Sequence, residues 1–348
     1  MNAFSMRSRG PLFNPSNTSG HRQAATPRKI GGAMRFLPAF VIFTVLTGSH
    51  CAAEDALPTK AVPDEKTRVS ATLDIQITAE PGTTQYVLNV QLPRSIPGRQ
   101  KVSAIKYSIK PTAVFEDEGS AYARFQADNP PPECRIGIDI SAETYRYDFS
   151  TALQKKANRN PEKREALRHW LRAEKYLEAN SPEILEIAQK LMGETDEEKL
   201  RACFDFVVAT LKKSPFSGNE RGALWALKHR GGDCSEFADL FVTLCRSKGI
   251  PARVCVGYLL EPVPDTPKHN WAEVYLREYG WIPFDPLYAK LGKNTTFAAV
   301  RPIYLLLGVE RQNDLLKGEN FFDYRYTGDP IKVKDAFRLN KVPPTKGK

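Results

Sequence analysis

Apolar and polar residues alternate along the chain between about residues 67 and 148. The alternating apolar sets are Leu73, Ile75 and Ile77; Tyr86, Leu88, Val90 and Leu92; and Ile136, Ile138 and Ile140. A period of two is typical of half-buried strands, whose successive side chains point to opposite faces. Turn sequences rich in proline and glycine separate these sets. The pattern therefore predicts a small antiparallel β-sandwich over residues 67–150.

From about residue 160 the apolar period becomes that of helices. An amphipathic stripe predicts a connecting helix within residues 151–180; it consists of Ala166, Leu167, Trp170, Leu171, Ala173 and Leu177. A second helix is predicted to start at Ser181-Pro182, a capping residue followed by proline at the first helical position. A third starts at Thr195, where Glu198 completes a capping box.

Beyond residue 231 the pattern predicts one more helix and then strands. Phe237, Phe241 and Leu244 recur at helical spacing, and three strand-like segments follow at 253–256, 271–276 and 281–284. The fold class predicted from these patterns is α+β, in which an antiparallel β-sandwich precedes helices packed on an antiparallel sheet. Short strands are expected near 324–326 and 331–333, followed by a loose basic end.

Composition agrees with an ordinary globular protein and argues against a nucleic-acid partner. The chain has 348 residues, of which 41% are hydrophobic and 26% charged. Six of its 50 basic residues, and no acidic residue, fall in residues 1–53. Without this segment 44 basic residues face 40 acidic ones, a net charge of +4. No remaining stretch combines a dense basic run with aromatic residues, so binding of nucleic acid is not expected.

The first 53 residues have the layout of a leader. An apolar run at 36–46 follows Arg35 and precedes small residues up to Ala53, which predicts a signal peptide and an exported protein, periplasmic or extracellular. Eleven apolar residues are too few to span a bilayer, so no stable membrane span is expected after cleavage. Lipidation of Cys51 is the less favoured alternative, because His50 fits such processing poorly. Met34 is an alternative start to Met1.

Five cysteines remain after residue 53, and the odd count suits one working thiol. The sequence leaves the pairing of the other four open, since buried free thiols and disulfides fit equally well: Cys134, Cys203, Cys245 and Cys255.

Cys234 is the candidate nucleophile. It lies in Gly231-Gly-Asp-Cys-Ser-Glu236, where Asp233 and Glu236 form a capping box that places Cys234 in the first turn of a helix. Backbone N–H groups and the positive end of the helix dipole favour a thiolate there and could stabilise an oxyanion.

A thiol nucleophile needs a base, and the base needs a group that orients it. His269 precedes a strand-like segment, and Asp285 follows the next one after the turn at Tyr279-Gly280. Two strands joined by a tight turn bring these ends side by side, so the carboxylate is expected to reach the imidazole. His269 and Glu273 alone do not make a metal site, and no metal or cofactor is predicted.

At these positions the sequence resembles the transglutaminase-like superfamily over about residues 180–290. The motifs that carry the resemblance are Gly231-Gly-Asp-Cys-Ser-Glu-Phe-Ala-Asp-Leu-Phe241, Cys245-Arg-Ser-Lys-Gly-Ile-Pro-Ala-Arg253, Gly257-Tyr258, His269-Asn-Trp-Ala-Glu-Val-Tyr-Leu276 and Gly280-Trp-Ile-Pro-Phe-Asp-Pro286. The intervals Cys–His and His–Asp, 35 and 16 residues, match the family core. The resemblance implies a papain-like core with Cys234, His269 and Asp285 as a triad, without an obligatory metal, often preceded in bacterial members by a β-domain.

The resemblance leaves the acyl acceptor open. Animal transglutaminases transfer a glutamine acyl group to an amine and depend on calcium, whereas many microbial relatives resemble proteases or amidases. This chain has no dense acidic calcium loop, and Trp225, nine residues before Cys234, does not match the upstream tryptophan of the animal enzymes. Hydrolysis of a peptide or protein amide is therefore the prediction; the alternatives are a protein-glutamine transglutaminase and a scaffold protein without activity. The oligomeric state and the substrate stay open.

The predicted organisation has six parts. They are the leader (1–53), a linker (54–66), the β-rich domain (67–150), the connecting helix (151–180), the transglutaminase-like catalytic domain (181–310) and a C-terminal extension (311–348).

Overall fold

A computed structural model describes residues 66–340 except 118, 151–160, 265, 298, 310, 312 and 318–319. The predicted leader and Cys51 lie outside the described residues. None of the helices within the described ranges is long and apolar enough to cross a membrane.

Strands dominate the described chain up to Asp148, and helices and strands mix from Arg164 onward. In chain order the strands are β1 (Lys66–Ala79), β2 (Thr83–Leu92), β3 (Gln100–Tyr107), β4 (Ala113–Asp117), β5 (Ser120–Asp128), β6 (Glu133–Tyr145), β7 (Tyr147–Asp148), β8 (Lys212–Lys213), β9 (Gly231–Gly232), β10 (Ala252–Leu259), β11 (Lys268–Leu276), β12 (Gly280–Phe284), β13 (Ala299–Val300), β14 (Tyr304–Gly308), β15 (Phe322–Gly328) and β16 (Ile331–Leu339). The helices are α1 (Arg164–Leu167), α2 (Pro182–Lys190), α3 (Asp196–Thr210), α4 (Ala223–His229), α5 (Cys234–Ser247) and α6 (Pro286–Lys290).

The alternating residues of the first half form a β-sandwich, which confirms that part of the fold prediction. One sheet has the order β16-β1-β6-β3 and the other β15-β2-β5-β4, and all neighbours are antiparallel. Contacts between Tyr86 and Cys134, and between Tyr107 and Phe125, join the two sheets. Apolar side chains fill the space between them, and β1 and β6 bury every second residue over most of their length.

The C-terminal strands belong to this sandwich, which the sequence did not predict. β16 pairs with β1 from Ala71↔Leu339 to Ala79↔Ile331, and β15 pairs with β2. Residues 322–339 therefore do not form a loose end. Both strands are longer than predicted, because β16 pairs with β1 and β15 pairs with β2 along their whole lengths.

A third antiparallel sheet, β12-β11-β10-β14, carries helix α5 on one face. Every residue of α5 from Cys234 to Arg246 is buried, so this helix is the centre of the helical part. The predicted caps of α2 and α3 are present: the Ser181 hydroxyl accepts a bond from the Ile184 N–H, and Thr195 with Glu198 forms a capping box.

The predicted connecting helix is wrong over most of its described length. One turn of α-helix at Arg164–Leu167 and a 3₁₀ turn at Arg168–Leu171 replace the long helix. Tyr176 has a φ of 74°, which no right-handed helix allows. Trp170 packs against Trp281 instead, and of the apolar stripe only Leu167 and Leu177 are buried.

The sandwich and the helix-bearing sheet pack together through polar side chains of β3 and the loop before it. Gln100 donates to the Leu306 carbonyl at 2.9 Å and accepts from the Leu306 N–H at 2.8 Å, which imitates one step of a β-ladder. Arg99 lies 3.5 Å from Glu273, a buried residue of β11. All of this lies within one unit of the chain, Leu57–Lys348.

Candidate active site

Cys234 is the first residue of α5, and the predicted capping box fixes it there. The Asp233 carboxylate accepts from the Ser235 N–H at 3.1 Å, and the Glu236 carboxylate accepts from the Asp233 N–H at 2.9 Å. A side chain at position 232 would collide with Glu236, so glycine is required where β9 enters the helix. Cys234 is 8% exposed, which leaves its sulfur accessible from one side only.

Arg221 neutralises the two acidic residues of this cap. Its guanidinium donates to Glu236 at 2.6 Å and lies 3.6 Å from Asp233. Burial, reinforced by the nearby Glu236, raises the pKa of Asp233 above its usual value. The arginine also stacks on Trp225, so the tryptophan that does not fit the animal pattern supports the cap.

The strands β11 and β12 bring His269 and Asp285 together, as the hairpin pattern predicts. The His269 Nε2 atom lies 2.7 Å from Asp285 Oδ2, and both side chains are buried. The other oxygen of Asp285 accepts from the Tyr288 N–H at 2.9 Å, so the carboxylate also caps α6. The carboxylate is thereby fixed by the start of a helix as well as by its strand.

Cys234 is the other polar neighbour that raises the pKa of the imidazole. Because Nε2 faces Asp285, Nδ1 is the nitrogen left for the sulfur. Burial lowers the pKa of His269, but the Asp285 carboxylate and its hydrogen bond, with Cys234, raise it to about 10. The site therefore favours an imidazolium between a carboxylate and a sulfur.

Tyr304 of β14 is a further neighbour of Asp285. Its hydroxyl donates to Asp285 Oδ2 at 2.7 Å. Burial and the adjacent carboxylate raise the pKa of Tyr304 well above its usual value, so the hydroxyl stays protonated. Sequence analysis missed this residue; the one available signal is a hydroxyl group within the apolar run 303–307.

A side-chain hydrogen bond joins α5, which carries Cys234, to β11, which carries His269. The Asn270 side-chain amide donates to the Ser235 hydroxyl at 3.0 Å, and both residues are buried. These residues directly follow His269 and Cys234, so the contact fixes the register of helix against strand. The signal in the sequence is the repeated interval of 35 residues, which sequence analysis did not use.

Cys234 and His269 lie at the base of a cleft of ≈ 310 Å³. The loop around Pro262, Val263 and Pro264 forms one side of it. Leu287, Tyr288 and Leu291 from α6 and the residues after it also line the cleft, as do Lys213 and Phe216.

Residues 185–286 match the family model described as the Transglutaminase-like superfamily. The matched range contains the cysteine helix, the histidine strand and Asp285. This chain carries a transglutaminase-like domain. The family expected from the motifs is thus confirmed, and its members are generally cysteine enzymes.

Two curated relatives match short parts of this chain. A protein-glutamine gamma-glutamyltransferase of Pseudomonas aeruginosa is 33% identical over 85 residues, which are 22% of this chain and 13% of that protein. The uncharacterized protein YebA of Bacillus subtilis is 37% identical over 68 residues, or 16% of this chain and 9% of YebA. The chain thus spans only a small share of either relative's length.

A solved structure extends the likeness to the whole fold. A candidate cysteine protease from Cytophaga hutchinsonii has a TM-score of 0.53 and 17% identity, and the match covers 81% of this chain and 96% of that one. At this identity the likeness concerns the fold. It supports the predicted combination of antiparallel sheets and a transglutaminase-like core.

Three further polar residues of the transglutaminase-like domain, Glu273, Cys203 and Cys245, have structural partners. Glu273 accepts from Arg253 at 2.7 Å and faces Arg99; burial opposes its ionisation, but these arginines hold its pKa below the usual value. Cys203 and Cys245 are both buried and contact each other. In the described part of the chain, all five cysteines are free thiols.

Proposed function

We propose that this protein is a thiol enzyme that transfers the acyl group of a peptide or protein amide, most favourably to water. Cys234 is the nucleophile, His269 the general base and acid, and Asp285 the group that orients the histidine. The observation that carries the proposal is the buried 2.7 Å contact of His269 with Asp285 on an imidazole whose other partner is Cys234. A cysteine, a base and an orienting carboxylate in contact are the requirements for nucleophilic catalysis.

In the first half of the reaction the Cys234 thiolate attacks the amide carbonyl. The carbonyl oxygen becomes an oxyanion, and the His269 imidazolium then donates its proton to the leaving amine. The carbon–nitrogen bond breaks and a thioester remains on Cys234. In the second half His269 removes a proton from water and the resulting hydroxide attacks the thioester. The carbon–sulfur bond then breaks, which returns the Cys234 thiolate beside the His269 imidazolium and releases the carboxylic acid.

The oxyanion is proposed to bind the backbone N–H of Cys234. The Ser235 N–H is engaged by Asp233, and the Phe237 N–H by the Asp233 carbonyl. Within the described residues no hydrogen bond occupies the Cys234 N–H. One amide at the positive end of a helix is thus available where negative charge develops.

Water is the proposed acceptor because of the charge in the cleft. Lys213, Lys268 and Lys293 line it, and an acceptor lysine would arrive as a fourth ammonium group. Water is uncharged, so these lysines do not repel it, and it can reach the thioester through the cleft.

Transfer to an amine is the second candidate, since one relative of the catalytic segment is a protein-glutamine gamma-glutamyltransferase. A scaffold without activity is the third. We also propose an exported location, periplasmic or extracellular, which rests on the leader pattern of residues 1–53.

The test uses the full chain as wild type and as Cys234→Ala, with a mixed peptide library offered with and without methylamine. Mass spectrometry identifies the products. We expect hydrolysis by the wild type and a loss of at least about 10³-fold in kcat/KM for Cys234→Ala, because the nucleophile is removed. Cys134→Ala is the matched control, since this half-buried cysteine lies in the sandwich.

The other outcomes choose between the candidates. Methylamine adducts at glutamine in place of hydrolysis would assign the protein as a transglutaminase. If no product forms and iodoacetamide does not modify Cys234 at neutral pH, the catalytic proposal is wrong and the scaffold candidate stands.

A further inference from the structure

The acidic and the basic residues that line the cleft differ in how many of them have a partner of opposite charge among the described residues. Both acidic ones have cationic or hydrogen-bonding partners of their own: Asp233 has Arg221, and Glu261 pairs with Arg301 and accepts from the Tyr288 hydroxyl at 3.1 Å. Negative charge in the cleft is therefore already compensated.

Three lysines line the same cleft, and only one of them has an acidic partner. Lys268 lies 2.8 Å from Asp335. Lys213 and Lys293 are both exposed, and no acidic side chain among the described residues forms an ion pair with either. They come from separate elements, the strand β8 and the turn after α6. The cleft around the thiol therefore carries two cations that have no counter-ion among the described residues.

An exposed apolar side chain accompanies each of these lysines. Phe216, three residues after Lys213, is 42% exposed, and Leu291, two residues before Lys293, is 39% exposed. Both line the cleft. Large apolar residues with this exposure beside a reactive centre are typical of surfaces that a ligand covers.

We propose that the cleft selects acidic peptides, in which a carboxylate lies next to an apolar side chain close to the amide that reacts. Lys213 and Lys293 bind the carboxylate, and Phe216 and Leu291 contact the apolar group. The inference rests on the proposed function only in taking this cleft as the substrate site. The same carboxylate chemistry could be supplied by a glutamate side chain or by the C-terminus of a peptide, and the test separates the two.

The expected effect is modest because both lysines are exposed. Solvent-screened ion pairs contribute up to about 1 kcal/mol each, or about fivefold in affinity per pair. The preference should weaken with salt, since the Debye length falls from about 10 Å at 0.1 M to about 3 Å at 1 M.

The test measures binding without chemistry. The full chain carrying Cys234→Ala is titrated by calorimetry with three acetylated peptides of one sequence that contains phenylalanine. The first has glutamates and an amidated C-terminus, the second has glutamines and an amidated C-terminus, and the third has glutamines and a free C-terminal carboxylate. We expect the first to bind at least about threefold more tightly than the second at 0.05 M salt, and this ratio to decrease at 0.5 M.

Charge reversal supplies the decisive variants. Lys213→Glu with Lys293→Glu should abolish or invert the preference, and Lys213→Gln with Lys293→Gln should reduce it. Lys110→Glu, at an exposed lysine in the turn between β3 and β4, is the control and should leave it unchanged.

The inference is overturned if neither the first nor the third peptide binds more tightly than the second, or if a preference for the carboxylate persists in the charge-reversed chain. Tight binding of the third peptide alone would assign the carboxylate to a C-terminus. Because binding is measured on a chain without the nucleophile, failure of the inference is distinguishable from failure of the proposed reaction.

Discussion

The His269 ring is held by polar contacts at its nitrogens and by aromatic rings around it. Asp285 is its hydrogen-bond partner and Cys234 its other polar neighbour, and its ring centre lies 5.1 Å from that of Tyr288 and 5.9 Å from that of Tyr304. The ring cannot rotate without losing contacts on several sides. A base fixed in this way is preorganised for proton transfer between sulfur and substrate.

Asp285→Asn should show how the carboxylate sets the charge of this ring. The carboxylate stabilises the imidazolium and raises the His269 pKa to about 10, so its removal lowers that pKa. Because the imidazolium protonates the leaving amine, the alkaline limb of the pH profile of kcat should move to lower pH. We also expect kcat to fall by about 10²-fold or more, since the tautomer is no longer fixed. Asparagine is itself a good N-cap, so α6 should be retained.

Tyr304→Phe is the control for this change. It removes one hydrogen bond to Asp285 but keeps the negative charge. The alkaline limb should therefore not move to lower pH. An alkaline limb that stays in place in Asp285→Asn would contradict the role assigned to the carboxylate.

At the residue scale, the sequence predicts the residues that contact each other within short motifs. The capping box around Cys234 and the pairing of His269 with Asp285 follow from local spacing and one hairpin. Tyr304 could not be predicted, because it reaches Asp285 from a strand that no motif connects to the site. Its approach depends on how β14 pairs with β10, which is a property of the tertiary fold.

At the scale of elements, β14 is held from both sides by different means. Its backbone pairs with β10 on one edge, and the Gln100 side chain supplies a donor and an acceptor to Leu306 on the other. Gln100 is only 2% exposed. A side chain of the sandwich thus replaces a missing strand neighbour and supports the strand that carries Tyr304.

Gln100→Leu should therefore destabilise the protein more than its size suggests. The substitution leaves the N–H and the carbonyl of Leu306 without partners in a buried position, at about 1–3 kcal/mol for each group. We expect the free energy of unfolding in urea to fall by about 2–4 kcal/mol. Gln126→Leu, at an exposed position of β5, is the control and should change it by less than about 0.5 kcal/mol. Equal stability of the two variants would rule out this role for Gln100.

The sequence predicts the starts of α2 and α3 correctly, because both helices have capping residues. The predicted connecting helix has no capping residue, and that prediction is wrong. Thr195 and Ser181 begin α3 and α2 as expected, since their side chains satisfy backbone N–H groups locally. The stripe between 166 and 177 has helical spacing, but the described N-cap, Lys163, makes no side-chain cap bond. Packing of Trp170 on Trp281 then decides the backbone there, and such long-range packing is not visible in a local pattern.

At the scale of the whole molecule, the last two described strands belong to the same β-sandwich as the first two. β15 and β16 complete the two sheets that β2 and β1 begin, and β16 also reaches the transglutaminase-like domain, where Phe337 stacks on Tyr258 with ring centres 4.0 Å apart. Arg311, which precedes these strands, is buried and donates to Asp239 of α5 at 2.8 Å. The last described segment therefore connects the sandwich with the nucleophile helix.

A chain that ends at residue 310 should not fold into the native structure. It lacks Arg311, so Asp239 would be buried without its charge partner, and removal of one partner of a buried pair costs about 3–5 kcal/mol. It also exposes one edge of β1 and of β2. We expect aggregation in size-exclusion chromatography and no cooperative thermal unfolding by circular dichroism. A chain that ends at Asn340 keeps every described strand and is the control; native behaviour of both chains would refute the expectation.

The position of β16 also has a consequence for the order of folding. β1 lies between β6 and β16, so its second edge stays unpaired until residue 339 has been synthesised. Contacts between such distant parts of a chain form late, because a long loop must close first. A nascent chain would thus carry a complete Cys-His-Asp motif while one edge of β1 is still unpaired, so the sandwich is completed only after residues 234–285 have been synthesised.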